Sequence, residues 1–191
     1  MLRILLAGIV GGIVVFIWGA MSHMVLQVGE MGIKELPNDE LLLPALRTGI
    51  PDPGMYMIPG PDKAAPTDMK AWEKKVQAGP RGLLVIDPRP TDQPMMSAAQ
   101  LGRELASNVL AALVAACIVS AMFAGTFARV LAVAAMGLFG WLSLVVSYWN
   151  WYGFPDDFAI GQLIGEVVGW FLAGLLIAPI APRPAIPAAA V

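Results

Sequence analysis

Four stretches of the chain, residues 4–26, 101–127, 130–148 and 158–180, consist almost wholly of apolar side chains. Each is long enough to cross a bilayer as a helix, which takes ~20 mainly apolar residues at a rise of ~1.5 Å each. A soluble domain of 191 residues has no interior that would hide all four. The whole sequence is 58% hydrophobic and 14% charged, whereas soluble domains average about 45–50% apolar and about 25% charged residues. The expected fold class is a mainly α membrane protein: a bundle of four transmembrane helices with a small α+β extracytoplasmic domain, residues 27–100, inserted between the first and second.

Arg3 ahead of an apolar stretch has the outline of a secretory signal. A cleavable apolar core is normally ~7–15 residues long, and this one continues through Trp18, Met21, Met24 and Val25, so an uncleaved anchor is expected. Positive charge in short loops tends to stay cytoplasmic. Arg3, Arg129 and Arg183 flank helix ends on one side, and Asp156 and Asp157 mark the opposite side between the third and fourth helices. This places both termini in the cytoplasm of a bacterial inner membrane and residues 27–100 in the periplasm or outside. The proline-rich segment 181–191 is expected to be a flexible cytoplasmic tail that begins to lose order at Pro179.

The insert holds eleven prolines, eight basic and ten acidic residues, yet it carries folding signals. Asn38 or Asp39 is placed to cap a short helix through Leu41, Leu42, Leu43 and Leu46, which Pro44 either limits to a turn or two or, as a first-turn residue, makes start later. Thr67 or Asp68 is placed to cap a second helix near 68–77, with Trp72 and Val76 on one face and Gly79-Pro80 ending it. Apolar runs near 55–58 and 83–86 read as strands on either side of this helix. Together they suggest a βαβ-like unit covered by Trp72 and Val76. A two-stranded sheet is marginal alone, so support from the membrane helices or a partner chain is expected.

Small residues recur along the helices. Gly161, Gly165, Gly169 and Ala173 form a stripe on the fourth, Ala112, Ala116, Ser120, Ala124 and Ala128 on the second, and Gly8 and Gly12 on the first. Such stripes let backbones approach in lipid. Glu166 is an ionisable group inside the fourth span, about 12 Å below its outer end counted from Phe158. Groups of this kind face a bundle interior or a partner. His23, Arg103, Asn108 and Gln162 share its outer-leaflet depth, so these five residues form a candidate polar cluster or ion site. The inner half carries no comparable polar path, which disfavours a channel.

His23 is the single histidine and Cys117 the single cysteine, which excludes disulfides, CxxC sites and HExxH metal sites within this chain. His23 remains open to a haem or chlorophyll-type pigment, although a hydrogen-bonded histidine facing the insert is the simpler expectation. Tyr148, Trp149, Trp151 and Tyr152 are expected to anchor the third helix at the interface. Asp52, Asp62, Asp68, Asp87 and Asp92 of the insert lack a histidine, a cysteine or a serine before Ser97 to complete a triad. A net charge of -2 without a basic cluster offers nothing to nucleic acid.

These observations lead to a non-catalytic membrane accessory or assembly subunit of a larger complex. Its expected partners are the lipid bilayer and a second membrane protein, or another copy of the chain. The alternative is a small transporter or pH sensor using Glu166 with His23 or Arg103.

Overall fold

The computed structural model describes residues 1–62, 64–65, 67–87 and 94–184. Four apolar helical spans dominate it: α1 (Leu2–Met24), α4 (Ala98–Ser120), the continuous helix Thr126–Tyr152, and α7 (Asp156–Ile180). All four are long and apolar enough to cross a membrane. The third is built from α5 (Thr126–Gly140), a π-helical turn (Trp141–Val145) and α6 (Val146–Tyr152). Between α1 and α4 lie α2 (Asp39–Gly49), β1 (Gly54–Ile58), α3 (Met69–Ala78) and β2 (Gly82–Ile86). The end of the bundle where Leu2 and Ile180 meet is termed the base, and the opposite end, which leads into the insert, the top.

The spans pack in the order α4, α1, α7, α5, with α4 touching α5 and α7 only sparsely. The fully buried cluster lies in the basal half: Ala7, Ala112, Ala115, Ala116, Val119, Val133, Ala173, Ile177 and Ala181. Small side chains make this contact possible. A methyl group at Gly8 would meet Leu113, one at Gly11 would meet Ile177, and one at Gly12 would meet the backbone of Val109.

At the base, arginines meet the carbonyl end of α7. Arg3 donates from Nε to Ile180 O at 2.9 Å and from Nη2 to Pro179 O at 3.2 Å. Arg129 donates from Nη2 to Pro182 O at 3.0 Å and Ala181 O at 3.3 Å. Arg183 donates to Thr126 Oγ1 at 2.6 Å. A helix C-terminus carries partial negative charge and unsatisfied carbonyls, so cations are stabilised there. α7 runs through Pro179 to Ile180, and Ala181 is buried beyond it. The remainder of the expected tail, 185–191, lies outside the described residues.

The second apolar run is helical only to Ser120, because the chain turns through 121–125 before Gly125 opens α5. Ala124 and Ala128 therefore do not extend the α4 stripe. That helix also starts earlier than expected, at Ala98, where Ser97 and Gln100 form a reciprocal capping box.

Within the insert, Asp68 caps α3 by accepting from Ala71 N at 3.0 Å. α2 passes straight through Pro44. That proline sits just beyond the first turn, so its missing N–H removes a single ladder bond. β1 and β2 are antiparallel, with Gly54 opposite Ile86 and Ile58 opposite Gly82, not a parallel βαβ pair. Because Ile58 and Gly82 face each other, α3 occupies the loop of a wide hairpin, pinned by Trp72 Nε1 donating to Pro59 O at 2.9 Å. Trp72 and Val76 are the two half-buried residues of α3.

Gly12→Leu is expected to lower stability by roughly 1–3 kcal/mol through overpacking against α4. Gly165→Ala, whose added methyl meets nothing within 4 Å, should instead raise it by up to about 1 kcal/mol through helix propensity. Thermal unfolding of both variants in one detergent checks the contrast.

Candidate functional site

Above the packed base, α4 and α7 do not close against each other, and α1 forms the back wall of the gap. The result is a cavity of about 460 Å³ lined by Trp18, His23 and their neighbours on α1, by Leu101, Glu104 and Asn108 of α4, and by Gln162, Gly165, Glu166 and Trp170 of α7, together with Gly29 and Met96. His23, Asn108, Gln162 and Glu166, four of the five residues expected to cluster, line this one space.

Each polar group is positioned by its own helix. Glu166 accepts a hydrogen bond from Trp170 Nε1 at 3.1 Å, one helical turn further toward the base. This partner, and not arginine or histidine, holds the carboxyl group. Asn108 donates from Nδ2 to Glu104 Oε1 at 3.3 Å, also across one turn. His23 Nδ1 lies 2.8 Å from Glu30 Oε1. Gly29 stands so close to the imidazole that a side chain there would collide with it. Trp18 crosses from α1 to α7, donating to Gly165 O at 2.9 Å and packing on Gly169.

Arg103 is the residue that does not join. Leu101, Glu104 and Asn108 share a face by their three- and four-residue spacing, whereas Arg103 is turned about 100° away from Glu104. It is exposed and does not line the cavity. Glu104 takes a place there that the sequence reading missed, although its spacing to Asn108 was a usable signal. It lines the same cavity as Glu166. Among the described residues the lining includes no lysine or arginine. In the basal direction the space ends at the alanine- and glycine-rich core, so polar groups reach into the bundle from the top but do not continue through it.

The packing stripes divide according to this geometry. Gly161 lies against Val28 and Met31, Gly169 against Trp18, and Ala173 is buried. Gly165 instead opens onto the cavity. On α4, Ala112 and Ala116 are fully buried and Ser120 returns its hydroxyl to Ala116 O at 2.6 Å. Cys117 is exposed on the same helix.

A second cavity, of about 630 Å³, lies between the insert and the top of α6, with Trp72, Val76 and Met57 on one side and Trp151 and Tyr152 on the other. Two of the four aromatic residues expected to serve as interfacial anchors thus face the insert. Tyr148 stacks near Tyr152 and Phe154, and Trp149 donates to Asp156 Oδ1 at 2.7 Å.

Compared with protein-family models, curated proteins and solved structures, the chain matches none. Among the described residues no three His, Cys, Asp or Glu side chains are grouped to hold a metal ion. Asp62 and Asp68 bond to local backbone N–H groups in the insert, and Asp92 lies outside the described residues.

Trp18→Phe removes the indole bond to α7 while retaining most of the ring. It is expected to cost about 0.5–1.5 kcal/mol of stability. Arg103→Ala, outside the cavity, should leave stability within about 0.5 kcal/mol. Paired thermal unfolding measurements check both.

Proposed function

We propose that the protein is a non-catalytic accessory or assembly subunit of a larger membrane complex. In this reading it resides in a bacterial inner membrane, with the base and both termini cytoplasmic and residues 27–100 on the periplasmic side. The positive base, carrying Arg3, Arg129 and Arg183, supports that orientation through the charge bias of short loops.

The observation that carries the proposal is unfinished burial outside the four spans. α2 buries none of its residues and packs closely on no other element. Leu41 is 74% exposed and Leu43 42% exposed. One face of the hairpin is likewise open, with Met55 at 68% and Val85 at 61% exposure on directly paired positions. Adjacent exposed apolar residues such as Met55 and Val85 are the kind of surface that marks interaction sites. Helices that lie on membranes usually carry lysine and arginine on their polar face, whereas α2 has Asp39, Glu40 and one Arg47. A protein partner with a complementary apolar surface is therefore favoured over lipid for this helix.

The test is the size of the particle extracted from native cells with mild detergent. The wild-type chain is expected in a band well above its own mass. Leu41→Glu with Leu43→Glu, or Met55→Glu with Val85→Glu, should shift it toward the mass of the chain alone with helix content unchanged. A wild-type chain that runs alone at native expression levels overturns the proposal.

The convergence of His23, Asn108, Gln162 and Glu166 on one cavity favours a second reading, a small transporter or sensor that uses Glu166 as a proton or cation site. The closed base weighs toward sensing over conduction. Glu166→Gln preserves the acceptor for Trp170 while removing the ionisable group. Normal assembly with lost transport or signalling supports this second reading, and unchanged activity overturns it.

A further inference from the structure

The arginines at the base form an arrangement that the packing of the helices does not complete. Arg129 has no exposed surface, and its Nε finds no hydrogen-bond partner. Arg3 bonds to Pro179 and Ile180, Arg129 to Ala181 and Pro182, and Arg183 to Thr126 at the start of α5, so all three guanidinium groups gather around the end of α7. Among the described residues the acidic side chains lie elsewhere: in the insert, on the upper part of α4 at Glu104, at the start of α7 at Asp156 and Asp157, and at Glu166 in the upper cavity. The contact of His23 Nδ1 with Glu30 Oε1 is also at the top.

Guanidinium groups stay charged at any physiological pH, so three positive charges converge on the end of α7. The helix terminus supplies only about half an elementary negative charge. Arg3 and Arg183 are both exposed. A guanidinium has five N–H donors, and the bonds to Pro179, Ile180 and Thr126 leave several of them free for an outside acceptor.

We infer that the base binds a phosphate-bearing anion between Arg3 and Arg183, with buried Arg129 behind them reinforcing the positive field, and that its source is the headgroup of an anionic phospholipid. Phosphate oxygens match the fork geometry of arginine. The end of a membrane-spanning helix also lies where headgroups are concentrated and where anionic lipids attract basic residues. Arg129 itself is too enclosed to touch the ligand.

The whole chain, purified in an uncharged detergent, tests this with three probes: phosphatidylglycerol, phosphatidylcholine and inorganic phosphate. Thermal unfolding and native mass spectrometry serve as readouts. Phosphatidylglycerol is expected to raise the unfolding midpoint and to remain bound in the mass spectrum, with phosphatidylcholine giving a clearly smaller response. The lipid-dependent increment should fall by more than half in Arg3→Gln with Arg183→Gln, and should largely return in Arg3→Lys with Arg183→Lys. Reading the increment, not the starting stability, separates headgroup binding from the loss of the arginine bonds to α7. An equal response to inorganic phosphate supports the anion site but overturns the assignment to lipid. An equal response to phosphatidylcholine, or an undiminished increment in the glutamine variant, overturns the site itself.

Discussion

In lipid, apolar side chains gain little by leaving their surroundings for one another, so helices associate where backbones come close and polar groups are matched. Both conditions meet in the basal half of this bundle. Gly8 and Gly12 bring α1 onto α4, Gly11 admits Ile177 of α7, and Val130 and Val133 of α5 pack beside Gly174. The carbonyl end of α7, reached by Arg3 and Arg129, is drawn into the same contact. α7 thereby becomes the shared wall: α1 packs on one side of it and α5 on the other, while α4 reaches it only sparsely.

The upper cavity is the complement of that closure. Where glycine and alanine give way to Trp18, Trp170 and Gln162, the backbones no longer approach closely along the whole contact, and α4 stands apart from α7. Indole N–H groups then connect the helices: Trp18 bonds to Gly165 O, and Trp141 to Ala159 O at 2.8 Å. Both acceptors are main-chain oxygens of α7. Space and polarity arise together here, since separated helices leave room for a carboxyl group that a tight alanine seam would exclude.

Much of this architecture is legible in the residues alone. Apolar length locates the four spans, and counting the rise per residue along them brings His23, Asn108, Gln162 and Glu166 to one depth. Depth is not direction, however, and Arg103 shows the difference: it shares the level of Glu104 but not its face. Strand polarity was equally hidden, because Met55–Ile58 and Leu83–Ile86 have the same pattern whichever way they run, and only the closure of Ile58 on Gly82 decides it. The end of α4 is not marked in the sequence because the turn at 121–125 is itself largely apolar. Its start is obscured because Ser97 and Gln100, a capping pair, lie in polar sequence ahead of the hydrophobic run. Glu30 pairs with His23 through a turn that has no repeating pattern.

The π-helical turn at Trp141–Val145 has a consequence for any face drawn along the third span. Its wider winding inserts extra chain into the helix, so the angular phase established by Arg129, Val133 and Gly137 does not carry through to α6. Tyr148 and Tyr152 reach their stacked positions with the helix already re-phased, and Trp141, at the point of change, holds the junction to α7. A helical-wheel projection of 126–152 as one uniform cylinder would therefore assign the upper aromatic residues to the wrong meridian.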